Sequence, residues 1–125
     1  MAAIQKNIRF EGTKATEEIP ALFDSGATYS CINPDTARRL EQILRLPSPM
    51  VFGTAKNGDT LEASEVVRLN FYIEGYRFSD EFMLIPGLSE QVIIGAATLQ
   101  KWRMKLDFEA DVVIIDPRVT KLRLL

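Results

Sequence analysis

Along most of the chain apolar residues recur every second position, the spacing of a strand with one buried face, and in two short stretches they recur every third or fourth, the spacing of a helix. Ile4, Ile8 and Phe10 alternate with polar neighbours and predict a first strand. The charged run EGTKATEE reads as a hairpin turn or loop, leading to a second strand, IPALF, that ends at Asp24. After the break at Asp24-Ser25-Gly26, TYSCI is β-prone. In NPDTARRLEQIL the period changes: Asn33 can cap, Pro34 suits a first helical position, and Ala37, Leu40 and Leu44 follow at helical spacing. RLPSP should stop this helix.

From Val51 to Ile73 the pattern is extended, with Asn57-Gly58 in its first half, a pair that accepts the positive φ of a type I′ turn. This predicts a long hairpin with its tip at Asn57-Gly58. A turn at Glu74-Gly75 leads into YRFSDEFMLI, which Pro86-Gly87 interrupts. QVIIG has the apolar character of a strand buried on both faces. AATLQKWRM is helix-compatible, with Leu99 and Trp102 inward, and KLDF and VVIID form a last hairpin around Glu109-Ala110-Asp111. The chain has no repeats, low-complexity segments or linkers, so the reading is a single mainly β domain, residues 1–125, with one or two short helices.

Composition narrows the chemistry. A chain of 125 residues, 46% hydrophobic and 26% charged, has the make-up of a soluble globular domain that holds a core without disulfides or metal. Fifteen basic residues against seventeen acidic ones, with a net charge of −2 and no basic run, make no case for a nucleic-acid partner. There are no histidines, which excludes Ser-His-Asp and Cys-His nucleophile pairs and a His-ligated zinc site built from this chain. The single cysteine, Cys31, excludes an intrachain disulfide and a multi-cysteine zinc site, and is expected to be a small buried apolar residue. MAAIQKNIRF lacks the apolar run of a signal peptide and no stretch approaches a membrane span. With the unpartnered thiol, these features favour a cytoplasmic location.

One stretch, ALFDSGATYS, places an acid directly after an apolar run. Asp24 is therefore expected to be buried, and a buried carboxylate must be paired, hydrogen-bonded or protonated. Aspartate can catalyse hydrolysis without histidine when two carboxylates are held a few ångströms apart: they share one proton, one takes a proton from water and the other protonates the scissile carbonyl. Of the other aspartates, Asp35, Asp59, Asp80, Asp107, Asp111 and Asp116, none lies in a matching apolar-Asp-Ser-Gly frame, and most read as solvated acids in turns or helix starts. The second carboxylate would come from a second copy, since a residue near a twofold axis faces its own mate. This predicts a homodimer.

ALFDSGATYSCI resembles the active-site segment of retropepsin-like aspartic proteases, the group containing retroviral and retrotransposon proteases and their cellular relatives. VIIGAATLQKW is similar to the family's second signature, two aliphatic residues and a glycine leading into a short helix, about 70 residues further on. The Asn57-Gly58 hairpin falls where the family has its flap, and INPDTARRL resembles a helix of cellular and retrotransposon members. The likeness runs from roughly residue 4 to 116.

The resemblance implies a closed β-barrel of the acid protease fold, homodimeric, cleaving peptide or protein substrates without metal or cofactor. It assigns Asp24 as catalytic acid and general base, Ser25 as a hydrogen-bonding residue across the dimer axis, Gly26 to the tight turn, Ala27 to the cleft floor and Gly95 to the packing beneath the Asp24 turn. Residues 53–61, with Ala55, Lys56, Asn57, Gly58 and Asp59 at the centre, would form a flap closing over an extended peptide. Two departures stand out: GTAKNGDT is polar and charged where family flaps are often glycine-rich, and the part after the second signature is longer than in a minimal retroviral protease.

Other readings are weaker. GTAKNGDT has the glycine spacing of a phosphate loop, but Asp59 stands where the lysine belongs. DSGATYS resembles a phosphodegron, yet apolar flanks oppose the exposure that would require. The alternative of a different class is a non-proteolytic dimerisation or peptide-binding module on the same fold, which has no need to bury Asp24.

Overall fold

The structure, a computed structural model, describes residues 3–54 and 58–124. Among these the chain forms strands β1 (Ile4–Glu11), β2 (Thr16–Phe23), β3 (Cys31–Ile32), β4 (Leu44–Gly53), β5 (Thr60–Ile73), β6 (Tyr76–Leu84), β7 (Val92–Ile94), β8 (Lys105–Asp107) and β9 (Val112–Ile114). Helices α1 (Pro34–Leu40) and α2 (Ala96–Lys101) and a 3-10 turn at Pro117–Thr120 complete it.

Six strands close on themselves. The order β1-β2-β7-β3-β6-β5 returns to β1 through Arg9↔Tyr72, Phe10↔Phe71 and Glu11↔Asn70, and β4 hangs on the outer side of β5. Closure removes two sheet edges and encloses a core. Into it the alternating positions of β1, β2, β5 and β6 send Phe10, Phe23, Phe71, Phe78 and Phe82, each essentially inaccessible to solvent. Phe78 stands edge-on to Trp102 at 5.3 Å, and the indole N–H of Trp102 donates to the Ser79 carbonyl at 3.0 Å, so α2 is fixed to β6. A smaller cluster, Ala63, Val66, Met83 and Ile85, lies between the other end of β5 and β4.

The turn chemistry explains most connections. Glu74 and Gly75 both have positive φ, 53° and 81°, the type I′ pattern that matches strand twist and joins Ile73 to Tyr76. Asn33 caps α1 by accepting from the Asp35 N–H at 2.9 Å, with Pro34 at the first helical position.

The structure corrects the sequence reading in the middle of the chain. The helix ends at Leu40, not Leu44, because the β1–β2 turn docks on its last residues: the Lys14 N–H donates to the Leu40 carbonyl at 3.0 Å and Glu41 is already extended. Leu44 opens β4 and is exposed, so its helical spacing was coincidental. RLPSP lies inside that strand, where Pro47 and Pro49 cannot donate to the ladder and the β4–β5 register shifts between Arg45 and Met50. Only Cys31 and Ile32 of TYSCI pair as a strand.

Candidate active site

The end of β2 delivers Asp24 to a junction of crossing chains. β2 runs parallel to β7, β7 antiparallel to β3, and β3 parallel to β6. The Asp24 N–H makes the last rung of the β2–β7 pairing, donating to the Ile94 carbonyl at 2.9 Å. The chain then turns at once. The Ala27 N–H donates to the Asp24 carbonyl at 3.2 Å, and the Gly26 N–H donates to Asp24 Oδ1 at 2.8 Å, which orients the carboxylate over its own turn. In this single chain Asp24 is half-buried rather than buried, because Ser25 and Gly26 are exposed at the rim of the barrel. Seven residues on, half-buried Cys31 has its thiol pushed up to about 11, first by burial and then by the charges of Glu90 and Asp24.

A second set of contacts braces the turn from below. The Ala96 N–H donates to the Ala27 carbonyl at 2.7 Å and the Ala97 N–H to the Thr28 carbonyl at 2.9 Å, so two free donors of the first turn of α2 hold the segment that follows Asp24. Such proximity requires Gly95. A Cβ there would stand 2.6 Å from the Tyr29 carbonyl carbon and oxygen and 2.9 Å from the Ala27 oxygen, all backbone atoms that cannot swing aside. Buried side chains continue the brace. The Gly95 N–H donates to Ser30 Oγ at 3.0 Å, Ser30 Oγ lies 2.6 Å from Thr98 Oγ1, and Thr98 Oγ1 donates to Asp80 Oδ2 at 2.7 Å.

The sequence-predicted residues thus divide into two groups. Asp24, Ser25, Gly26, Ala27 and Gly95 come together at the β2–β7–α2 junction. Ala55, Lys56 and Asn57 lie outside the described residues, while Gly58, with φ of 79°, and Asp59 sit at the end of the β4–β5 hairpin, where the Thr54 N–H donates to the Asp59 carbonyl at 3.1 Å. An arm of that hairpin reaches the Asp24 turn through Tyr29 and Phe52, whose rings meet edge to face at 5.6 Å. Beside Ser25 an apolar groove of about 510 Å³ opens between α2 and β8, lined by Ala96, Leu99, Met104, Leu106 and Phe108. Among the described residues no helix is long and apolar enough to cross a membrane, and no group of three or more His, Cys, Asp or Glu is arranged to hold a metal ion.

A family model described as aspartyl protease matches residues 7–98, a span from β1 to α2 that contains both Asp24 and Gly95. The chain belongs to the retropepsin-like aspartyl protease family. No curated protein matches the sequence. Among solved structures, the retroviral protease-like domain of Ddi1 from Leishmania major superposes with a TM-score of 0.64 over 94% of this chain and 90% of that one, at 20% identity. The shared feature is the retropepsin-like fold, a closed six-stranded barrel with few helices.

Within this family frame, three residues of the site escaped the sequence reading. Asp80 was grouped with the other aspartates as a solvated acid, but it lies in β6 with its side chain only 19% exposed, and Ser30 and Thr98 are buried beside it. The available signal was an acid inside the strand-patterned run YRFSDEFMLI. Its partners, being distant in sequence, carried no such mark.

Proposed function

We propose that the protein is an aspartic endopeptidase acting as a homodimer, with one domain and one Asp24 per subunit. The observation that carries this reading is the Asp24-Ser25-Gly26 turn, its carboxylate oriented by the Gly26 N–H and the backbone that follows it, at Ala27 and Tyr29, pressed against Gly95, in a chain of the aspartyl protease family. Among the described residues the half-buried Asp24 carboxylate is hydrogen-bonded by the Gly26 N–H and by no second acid. Apposing two copies across a twofold axis near Asp24 supplies one, and the exposed Ser25 and the apolar groove next to it are the surface such an apposition would cover.

In the dimer the two Asp24 carboxylates hold one proton between them. The ionised one takes a proton from a water as that water attacks the peptide carbonyl, and the protonated one gives its proton to the carbonyl oxygen. The amine leaves after accepting a proton in turn, and no metal or covalent intermediate is required. Ser25 holds the two turns together, Ala27 lines the floor, and residues 53–61 close over an extended peptide as an added strand. Because one carboxylate must stay protonated, activity favours mildly acidic pH.

The test is cleavage of a mixed peptide library from about pH 4 to 7, the range in which such a dyad titrates, at two protein concentrations and with Asp24→Asn as control. Cleavage that disappears in Asp24→Asn and falls faster than linearly on dilution supports a dimeric aspartic protease. A folded, dimeric protein that cuts nothing would move the fold to a peptide-binding role.

A further inference from the structure

The buried polar chain beneath the Asp24 turn has a direction that its two ends impose. At one end, the Gly95 N–H can only donate, and it donates to Ser30 Oγ at 3.0 Å. At the other, the carboxylate of Asp80 can only accept while ionised, and it accepts from Thr98 Oγ1 at 2.7 Å through Oδ2 and from the Glu81 N–H at 2.8 Å through Oδ1. Thr98 has therefore given its one proton to Asp80, so at the 2.6 Å contact between the two hydroxyls Ser30 must be the donor. The order is Gly95 N–H to Ser30, Ser30 to Thr98, Thr98 to Asp80. Ser30 is 2% and Thr98 1% exposed, so water cannot replace either hydroxyl. A chain of aligned hydrogen bonds ending on a charge is mutually polarised, each bond strengthening the next. Lys101, half exposed, stands 3.7 Å from Asp80 Oδ1 on the solvent side.

We propose that Asp80 is a positioning residue of the reaction, acting through Thr98 and Ser30 to hold the Gly95 amide, and with it the Asp24 turn, in its working position. The inference rests on the protease reading for its catalytic consequence but not for its geometry. Ser30 lies between the Asp24 turn and β3, Thr98 on α2 and Asp80 on β6, so the relay ties three segments at the place where Gly95 lets backbones meet. No residue of the relay needs to touch substrate. Its effect is on where Asp24 points, which matters in the transition state more than in substrate binding.

Thr98→Val keeps the shape and removes the hydroxyl, Thr98→Ser keeps the hydroxyl, and Asp80→Ala removes the terminal acceptor from a partly solvated position where folding tolerates it. The readouts are kcat and KM on a peptide selected from the library, and NMR hydrogen exchange at the Gly95 amide with the Gly26 amide shift as a report on the Asp24 carboxylate. With one buried group left unsatisfied, Thr98→Val and Asp80→Ala should each lower kcat about tenfold or more, move KM by less than about threefold and speed Gly95 exchange about tenfold. Thr98→Ser should return all three to near the wild-type values. Wild-type kcat, or wild-type Gly95 exchange, in a folded Thr98→Val or Asp80→Ala would overturn the proposal. Cleavage that persists in Asp24→Asn would strike the protease reading alone, and Gly95 exchange would still decide the relay.

Discussion

Gly12 and Gly95 stand in two regions built on the same device, a glycine pressed against a neighbouring backbone, and the regions differ in what surrounds it. At Gly12, in the β1–β2 turn, a Cβ would fall 2.0 Å from the Leu40 oxygen and 2.6 Å from its carbonyl carbon. Around that contact the links are peripheral: Lys14 to the Leu40 carbonyl, and Thr13 through both its N–H and its hydroxyl to the Glu41 carboxylate. At Gly95 the contact is buried, and the N–H groups of Gly95, Ala96 and Ala97 all run to the segment that follows Asp24, at Ser30, Ala27 and Thr28. The Gly12 junction can give way outward, because one side of it is solvent. The buried Gly95 junction is packed between the barrel, α2 and the relay, so a displacement there reaches the Asp24 turn. Close packing thus serves stability alone in one region and stability together with site geometry in the other.

Four substitutions test that contrast. Asp24→Asn should have the largest effect on function and almost none on folding: peptide cleavage falls by about 10³-fold or more, the upper part of the general acid–base range, while the denaturation midpoint stays near that of the wild type. Gly95→Ala should damage both, costing roughly 3 kcal/mol from overpacking against fixed backbone, with cleavage by the molecules that remain folded also reduced. Gly12→Ala, despite its nearer clash, should cost only about 2 kcal/mol because its turn can shift, and kcat per folded molecule should match the wild type. Equal kcat losses in the two glycine variants would show that the regions are not independent.

The smallest effect belongs to Glu41→Gln, which probes the Gly12 junction through its charge. The Glu41 carboxyl is held below its ordinary value of 4.5, first by the Thr13 hydroxyl and further by the backbone N–H groups of Gln42 and Thr13. A carboxylate with a lowered folded pKa contributes stability that is present above the unfolded value and lost as pH falls through the folded one. Denaturant unfolding at neutral pH should therefore show Glu41→Gln about 1 kcal/mol less stable than the wild type. The gap should narrow as pH drops below 4.5, and a gap that does not change with pH would remove the ionic account of the junction.

Much of this molecule is decided by short-range chemistry. Strand alternation through Ile8 and Phe10, the paired positive φ at Glu74-Gly75, the Asn33-Pro34 helix start and the Pro86-Gly87 break are local preferences, and each appears in the structure where the residues place it. The Asp24-Ser25-Gly26 turn and the VIIG strand were legible for the same reason, since apolar runs and turn residues act within a few positions. Tertiary contact decided the rest. α1 ends at Leu40 because a turn from 26 residues earlier takes its carbonyl, and the pattern through Leu44 could not register that competition. The half-burial of Asp24 depends on which chains cross at the barrel rim. The relay joins Ser30 to Thr98 across 68 positions and Thr98 to Asp80 across 18. A hydroxyl or carboxylate carries no mark of its partner in its own neighbourhood, because the free energy of a buried hydrogen bond depends on the water that the closed fold excludes.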